Sequence, residues 1–258
     1  MRGVVPAALA IALGLGLAGP AAAESHALPA RDWSFDGVFG SFDQAAMQRG
    51  FQVYKEVCAG CHGVEYLAFR NLQDIGLSLD DVKAIAAEYE VEDGPDGDSE
   101  MFTRPGTPAD RIPSPFANDQ AARAANNGAL PPDLSLITKA RTGGADYLYA
   151  VLTGYGEPPE GFELDEGMNF NPYFPGKRIA MPEPLFDDAV EYTDGTAATP
   201  EQMAEDVTHF LAWAAEPELE VRKRMGVKVM LFLIVLTALF YATKRKVWSK
   251  AEHDTTGP

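Results

Sequence analysis

Basic side chains, cysteine and histidine are all scarce in this chain of 258 residues. The 21 Lys and Arg residues face 38 Asp and Glu residues, a formal net charge of −17, which argues against binding to nucleic acid. Two cysteines and four histidines leave few side chains for a disulfide framework or a metal centre. No internal repeat and no sustained alternation of apolar and polar residues is visible, which excludes a solenoid and predicts little β-structure.

The charge is also unevenly distributed along the chain. Residues 24–219 contain 12 basic and 35 acidic side chains, and most of the other basic residues lie near the C-terminus. A domain this acidic would attract a basic protein partner by long-range electrostatic steering. The densest acidic stretches are residues 88–100 and 157–166. Either stretch is a candidate docking surface, although a solvated loop is the commoner role of such a run.

Both cysteines stand in one short motif, because residues 58–62 have the sequence CAGCH. This C-x-x-C-H spacing is the attachment signature of a c-type haem. Each thiol can add to one haem vinyl group, and the adjacent histidine then lies under the iron as an axial ligand. A zinc site would need two further ligands at a matching spacing, and His26 and His209 are distant in sequence. A thioredoxin-like pair does not require the histidine and belongs to a βαβ context that this sequence lacks.

The N-terminus predicts export. Residues 1–23 combine one positive charge at Arg2, an apolar run over residues 4–17 and a small-residue cleavage site before Glu24, the layout of a secretory signal peptide that is removed. Export agrees with the haem motif, because c-type haem is attached outside the cytoplasm. An uncleaved anchor is the alternative.

A second apolar stretch predicts a C-terminal membrane anchor. Residues 229–243 carry no charge, and extension back to residue 225 adds only Lys228, whose long stem can reach the headgroup region. The extended stretch approaches the length of about 20 residues that a spanning helix needs. Tyr241 and Trp248 suit the far membrane interface. A buried core helix is the alternative.

Basic residues flank this stretch equally on both sides, so the positive-inside rule does not orient it. The signal peptide and the haem motif orient it instead. We expect residues 24–221 to form a periplasmic c-type haem domain, residues 225–243 to span the membrane, and residues 244–258 to form a short cytoplasmic tail. The protein would then be a single-pass protein of a bacterial inner membrane, either the cell membrane or an intracytoplasmic membrane.

The region between the two ends predicts short helices joined by loops rich in proline and glycine, such as residues 93–115 and 154–184. A capping-box pattern begins at Ser41, and its helix would carry the haem motif at its C-terminal end. Ser78 and Thr199 would cap two further helices. We therefore expect a mainly α fold with long irregular loops. It would be a haem domain resembling class I c-type cytochromes, followed by one transmembrane helix.

An electron-transfer haem needs a sixth ligand on its iron. Met181 is the first candidate, because it lies in a loop that prolines stiffen, and a rigid loop can hold a weak thioether on iron. Met168, in an acidic loop, is the main rival. Met203 is more simply explained as core, and His209 as a half-exposed structural histidine. Ligation by histidine and methionine would leave no open site and would raise the reduction potential, which suits electron transfer rather than catalysis.

Several longer segments resemble the cytochrome c1 family, the haem subunits of the cytochrome bc1 complex (quinol–cytochrome c reductase). They are RGFQVY at 49–54 before the haem motif, AARAANNGALPPDLS at 121–135, YTDGT at 192–196, WAAEPE at 213–218 and RKRMG at 222–226. The haem motif is shared by many cytochromes, whereas the NNGALPPDL and WAAEP runs are specific to this family. The resemblance covers nearly all of the mature chain.

The resemblance implies how one haem c is held. Cys58 and Cys61 would bond it covalently, His62 and Met181 would ligate its iron, and Met168 would take no part. Some bacterial relatives carry two further cysteines that form a disulfide near the methionine loop. This chain lacks them, so we expect packing alone to hold its loop.

Other side chains would enclose the haem. Arg141 and Tyr147 would meet its propionates, where a guanidinium offsets carboxylate charge. The residues implied to line the haem are Asn126, Ala129, Pro131, Pro132, Leu134 and Ile137 on one side, and Phe174, Ile179, Ala180 and Pro184 on the methionine side.

The resemblance also implies the partners. The Rieske iron–sulfur protein, having taken an electron from quinol at the cytochrome b subunit, would reduce this haem, and a basic cytochrome c would accept the electron. The chain would be a non-catalytic redox subunit of a dimeric complex, in respiratory or photosynthetic electron transport coupled to proton translocation. Its anchor would contact cytochrome b and lipid.

Two other functions would share part of this pattern. A membrane-anchored haem enzyme, such as a peroxidase or a nitrite-reducing subunit, needs an open sixth position and usually a second haem motif. A free-standing anchored electron carrier, or the haem subunit of a terminal oxidase, would share the motif and the anchor. The family-specific runs argue against both the free-standing carrier and the oxidase subunit.

Overall fold

The structure is a computed structural model that describes residues 27–254, with side chains described over residues 27–249. The predicted signal peptide and His26 lie outside the described residues. The elements in chain order are α1 (Gln44–Val53), α2 (Leu79–Ala87), β1 (Glu90–Asp93), β2 (Phe102–Pro105), α3 (Asp119–Ala125), α4 (Ile137–Ala140), α5 (Gly144–Thr153), β3 (Asn169–Phe170), β4 (Arg178–Ile179), α6 (Pro200–Ala215) and α7 (Leu219–Asp254). The predicted mainly α fold with long loops is confirmed.

The core of the domain forms where α1 crosses α6. A Cβ atom on Gly50 would lie 2.0 Å from the backbone oxygen of Asp206, so the two helices meet at a distance that only glycine permits. The rings of Phe51 and Tyr54 lie 5.5 and 5.7 Å from the ring of Phe210. This packing fixes the position of α1, whose C-terminal end leads into the haem motif.

The helix starts agree with two of the three predicted caps. The Ser78 hydroxyl accepts the Asp81 N–H in a capping box, and the Thr199 hydroxyl accepts the Gln202 N–H. The cap predicted at Ser41 is wrong, because the Asp43 carboxylate accepts the Ala46 N–H and begins α1. The backbone at Ser41 still belongs to the preceding loop, where its N–H donates to the Ser34 carbonyl.

Helices α3, α4 and α5 and two short antiparallel hairpins were not predicted. In the first hairpin Glu90 lies opposite Pro105, and strand β1 belongs to the acidic stretch 88–100. In the second, Asn169 lies opposite Ile179 and Phe170 opposite Arg178. These strands are two to four residues long. The fold therefore still contains little β-structure, as the sequence predicts.

Helix α7 is continuous over 36 residues and begins at Leu219, six residues before the predicted span. At about 1.5 Å per residue it is about 54 Å long, which exceeds a hydrocarbon core of about 30 Å. Among the described helices it is the one long and apolar enough to cross a membrane. Its apolar side chains are exposed, for example Leu231 at 60% and Phe232 at 64%. The predicted C-terminal helix is confirmed as long and apolar, which fits a single membrane anchor.

Candidate haem site

The CAGCH motif forms a closed turn at the end of α1. A π-helical turn, Tyr54–Cys58, extends the helix. The N–H groups of Cys61 and His62 then both donate to the Cys58 carbonyl, at 3.1 and 2.9 Å. Cys58 is half-buried against the core, whereas Cys61 is exposed. Burial raises the pKa of the Cys58 thiol to about 12, so this position suits an uncharged sulfur such as a thioether.

The imidazole of His62 is oriented by a backbone carbonyl. Its Nδ1 lies 2.7 Å from the Pro132 oxygen, and we assign the proton to Nδ1 because a carbonyl can only accept. The Nε2 atom therefore carries the lone pair, as in metal-ligating histidines whose other nitrogen is held by a carbonyl. Burial lowers the pKa of His62, which favours the neutral imidazole that binds a metal.

The run predicted to line one side of the haem lies next to this histidine. The Leu134 N–H donates to the Gly63 carbonyl at 2.8 Å, which joins the run to the motif. Asn126 follows α3 and donates from its side-chain amide to the Ala122 carbonyl at 2.7 Å. Leu134 and Ile137 are buried, whereas Ala129 and Pro131 are half-buried and Pro132 is exposed.

Two leucines in this region are more exposed than their type usually is. Leu130 is 37% exposed and Leu136 is 43% exposed. Both lie within a few residues of Pro132, the carbonyl partner of His62. A flat apolar group bound beside His62 could cover such side chains.

The backbone at Met181 is held by two side chains. Its carbonyl accepts a hydrogen bond from the Tyr155 hydroxyl at 3.1 Å and another from the Asn169 amide at 3.2 Å. The β3–β4 ladder ends two residues earlier, at Ile179. The expectation that packing alone holds this loop is therefore wrong, because polar side chains on neighbouring segments bond its backbone.

The two candidate methionine ligands differ in burial although they lie near the same ladder. Met181 is half-buried and packs against the cluster of core side chains that Cys58 also contacts. Met168 immediately precedes β3 and is 38% exposed. Met203 is completely buried in α6 and belongs to the core, as predicted. The described surroundings therefore favour Met181 over Met168.

His209 is buried, with 4% exposure, so the prediction of a half-exposed side chain is wrong. Its Nδ1 lies 3.0 Å from the Glu205 carbonyl and its Nε2 lies 3.3 Å from the Ser34 hydroxyl. The rings of Trp33 and Phe35 lie edge-on to it, with centroids 5.2 and 5.3 Å away. Both nitrogens have partners, so the structural role proposed for this histidine agrees with its contacts.

The remaining predicted residues occupy two places. Arg141 is exposed between α4 and α5, beside the Tyr147 hydroxyl. Burial raises the pKa of Tyr147, and the nearby guanidinium opposes that effect. The other four lie within seven residues of Met181 in the sequence. Ile179 is buried, and Phe174, Ala180 and Pro184 are half-buried.

Sequence reasoning missed the polar residues that hold the methionine loop. Besides Tyr155 and Asn169, the fully buried Asn171 donates to the Val151 carbonyl at 2.7 Å, which joins the loop to α5. Its Oδ1 accepts the Tyr173 N–H at 3.1 Å. Asn171 is followed by a proline, which is a turn signal. This was the one feature of the sequence that could have pointed to its role.

These observations fit a covalently attached haem. Cys58 and Cys61 are both free thiols, His62 has an available Nε2, and Met181 lies on a loop fixed by hydrogen bonds. Within the described residues no group of three or more His, Cys, Asp or Glu side chains suggests a different metal centre. A cavity of about 400 Å³ lies elsewhere, beside the start of α7, and none of the predicted haem residues lines it.

Comparison with known proteins points in the same direction. The chain matches the Cytochrome C1 family over residues 33–251. It is 52% identical to cytochrome c1 of Rhodospirillum rubrum, over 98% of this chain and all of that protein. It is 54% identical to the mitochondrial cytochrome c1 haem protein of Schizosaccharomyces pombe, over 84% of this chain and 71% of that protein. It is also 52% identical to cytochrome b/c1 of Bradyrhizobium diazoefficiens, over 86% of this chain and 35% of that longer protein.

Proposed function

Because this chain belongs to the cytochrome c1 family, we propose that residues 58–62 and Met181 hold the single c-type haem with which it transfers electrons in the bc1 complex. The family provides the redox subunit of that complex, with covalently bound haem, and this subunit is not itself catalytic. When bound, the haem supplies an iron centre that gains and loses one electron. The chain's own residues attach it, orient its ligands and restrict access of water.

The observation that carries this assignment is the contact between His62 and Pro132. The bond of 2.7 Å fixes the imidazole tautomer and ring orientation, so Nε2 would be the nitrogen that binds iron. Cys58 and Cys61 would form the two thioethers. Met181 would supply the second ligand to the iron, and its backbone bonds to Tyr155 and Asn169 would support this weak thioether ligand against thermal displacement.

The family resemblance also assigns roles to the surrounding side chains. Arg141 and Tyr147 would meet the propionates, where the guanidinium offsets negative charge. The side chains that line the haem on the histidine side are Asn126, Ala129, Pro131, Pro132, Leu134 and Ile137. Those on the methionine side are Phe174, Ile179, Ala180 and Pro184.

The electron arrives from the Rieske iron–sulfur protein and leaves to a cytochrome c with a basic face, within a dimeric complex that includes cytochrome b.

Of the two acidic stretches, residues 157–166 are the one that bonds to the segment just before Met181. Both Nε and Nη2 of Arg178 donate to the Glu163 carbonyl, at 3.2 and 2.9 Å, and Arg178 lies three residues before Met181. The guanidinium carbon also lies 4.7 Å from the Phe162 ring centroid. We therefore assign docking of the acceptor to this stretch.

The topology follows from the order of the segments. Residues 1–23 act as a removed signal peptide, and residues 24–221 lie in the periplasm with the haem. Residues 225–243 cross a bacterial inner membrane, and residues 244–258 remain in the cytoplasm. The long exposed apolar surface of α7 supports the crossing.

Optical spectra of purified variants test the ligand assignment. Met181→Leu should lose the methionine–iron absorption band in the red and should gain carbon monoxide binding in the ferrous state. Met168→Leu is the matched control, because it removes the other methionine beside the same ladder, and it should keep the wild-type spectrum. If the control loses the band and Met181→Leu keeps it, Met168 is the ligand and the assignment is wrong.

A further inference from the structure

A tight loop at residues 36–40, here called the tip loop, presents two apolar side chains to the surroundings. Val38 is 63% exposed and Phe39 is 88% exposed. Phe39 is therefore more exposed than Leu231 and Phe232 on α7, at 60% and 64%. Two adjacent apolar side chains this exposed form a candidate contact surface, unlike apolar residues scattered singly over a surface.

The conformation of the tip loop is specified by its glycines. Gly37 has a φ of +69°, a conformation that other residues rarely adopt. A Cβ atom on Gly40 would lie 1.9 Å from the Asp36 carbonyl oxygen, so no larger residue fits there without moving the backbone. Val38 and Phe39 are therefore held outward by a defined turn rather than by a loose segment.

The tip loop is bonded to the base of the anchor helix from both of its sides. The Lys223 Nζ donates to the Phe35 carbonyl at 2.6 Å and to the Gly40 carbonyl at 3.1 Å. The Phe42 N–H donates to the Glu220 Oε1 at 3.0 Å. Both partners lie in the first two turns of α7, so the loop keeps a fixed position relative to that helix.

This position is close to the expected membrane surface. With a rise of about 1.5 Å per residue, Met225, where the proposed span begins, lies roughly 3 Å along the helix axis from Lys223. The polar layer on each side of the hydrocarbon core is roughly 5–8 Å thick. The exposed basic residues Arg222, Arg224 and Lys228 flank the same segment and suit anionic headgroups.

We infer that the tip loop is a second membrane contact, with Val38 and Phe39 inserted at the boundary between lipid headgroups and acyl chains. The attachment of the loop to the base of α7, and the exposed basic residues beside it, favour lipid as the occupant over a protein. A single spanning helix leaves its domain free to tilt. A second contact beside it fixes the tilt, and with it the height of the haem motif above the membrane. This inference depends on α7 being the anchor.

Site-directed spin labelling of the full-length holoprotein tests it. A cysteine replaces Phe39, Met101 or Leu231 in three separate variants, and Cys58 and Cys61 do not react because haem occupies them. Met101 is the matched control, 56% exposed in the β1–β2 hairpin, and Leu231 reports the anchor. Each variant is reconstituted in vesicles of phosphatidylcholine and phosphatidylglycerol. Collision rates with oxygen, which concentrates in lipid, and with a water-soluble nickel chelate are then measured.

We expect an oxygen-to-nickel ratio at position 39 at least threefold above that at position 101. If positions 39 and 101 are equally accessible to nickel while position 231 is lipid-exposed, the tip loop does not touch lipid. Protection of position 39 only in the assembled bc1 complex would make a protein subunit the occupant and would also overturn the inference. If position 231 is itself exposed to water, the anchor assignment is wrong and the inference fails with it.

Discussion

Arg49 on α1 and Asp206 on α6 form a two-pronged ion pair between the two central helices. The Nε atom lies 2.9 Å from Oδ2 and Nη2 lies 2.8 Å from Oδ1. The Asp206 side chain is completely buried and that of Arg49 is 18% exposed. The bonds to Asp206, and a further one to Asp194, raise the pKa of Arg49, so the guanidinium stays charged. The pair holds the helix that leads into the haem motif.

Removing one member of this pair should destabilise the holoprotein strongly. Arg49→Met leaves the Asp206 carboxylate buried without its partner, and we expect the free energy of unfolding to fall by about 3–5 kcal/mol. Arg222→Met is the control, because Arg222 is 63% exposed and its partner Glu216 keeps an ion pair with Lys139, so the change should cost at most about 1 kcal/mol. Denaturant unfolding followed by haem absorbance measures both.

A double variant separates a buried charge from general disruption of packing. Arg49→Met combined with Asp206→Leu removes both charges, so it should recover much of the stability that the single variant loses. If the double variant is less stable than Arg49→Met alone, loss of packing rather than an unpaired carboxylate explains the result.

The sequence predicted the starts of two helices, at each of which a polar cap precedes an amphipathic run. Thr199 and Ser78 satisfy both conditions, and both helices are present. Helix α5 was missed because it follows Gly143, a glycine with φ of +92° that offers no capping side chain, and a glycine pair normally signals a loop. A largely apolar helix after such a turn is specified by its tertiary environment, which the local sequence does not show.

The β1–β2 hairpin was missed for a different reason. Its strands lack apolar alternation, and the side chain of Arg104 holds them by bonds to Asp93 and Asp110. Ion pairs of this kind leave no alternation of apolar and polar residues in the sequence, so they give no sign of a strand. The haem motif, by contrast, is contiguous, so its position at the end of α1 was predictable, whereas the partnership of His62 with Pro132, 70 residues away, was not.

The hydrogen bonds to the Met181 carbonyl should strengthen methionine ligation. Tyr155→Phe removes one of them, and a typical intramolecular hydrogen bond contributes about 0.5–1.5 kcal/mol. If that energy supports the bond between the haem iron and the Met181 sulfur, the ferric variant should bind added imidazole roughly two- to tenfold more tightly than the wild type. Tyr66→Phe is the control, because that ring is 63% exposed outside the loop, and it should bind imidazole like the wild type. Equal affinities in both variants would show that the bond does not support the ligand.

The Arg104 cluster should make stability sensitive to acid. Bonds from Arg104 hold the pKa of Asp110 well below its ordinary value of 3.8, and also lower the pKa of Asp93. Since the folded-state pKa lies below the unfolded one, these carboxylates stabilise the fold above about pH 4, and their contribution is lost as the pH falls toward the folded value.

Arg104→Gln should therefore flatten the acid limb of the stability curve. Between pH 5 and pH 2 this variant should lose less free energy of unfolding than the wild type, because its carboxylates titrate closer to their ordinary pKa. Arg111→Gln provides the comparison, since Arg111 donates to the Glu65 carbonyl rather than to a carboxylate. It should keep the wild-type slope, and an equal slope in all three proteins would contradict the assignment.

Neutralising residues 157–166 should slow electron transfer to a basic cytochrome c more than neutralising residues 88–100. The first variant carries Glu157→Gln, Glu160→Gln, Glu163→Gln and Glu166→Gln, and the second carries Glu90→Gln, Glu92→Gln, Asp96→Asn and Glu100→Gln. Each removes four charges, and neither alters Glu88, Asp93 or Asp165, whose carboxylates lie within 4 Å of Lys55, Arg104 and Arg178.

Electrostatic steering predicts how these two variants differ. At low ionic strength the second-order rate constant of the first should fall roughly tenfold, because the lost charges belong to the stretch proposed to dock the partner. The rate constant of the second variant should change by less than about twofold, because residues 88–100 would act on the partner only through their long-range electrostatic field. Stopped-flow mixing at several salt concentrations measures both, and the difference should vanish at high salt, where exposed charges are screened. A larger loss in the second variant would place the docking surface on the β1–β2 hairpin.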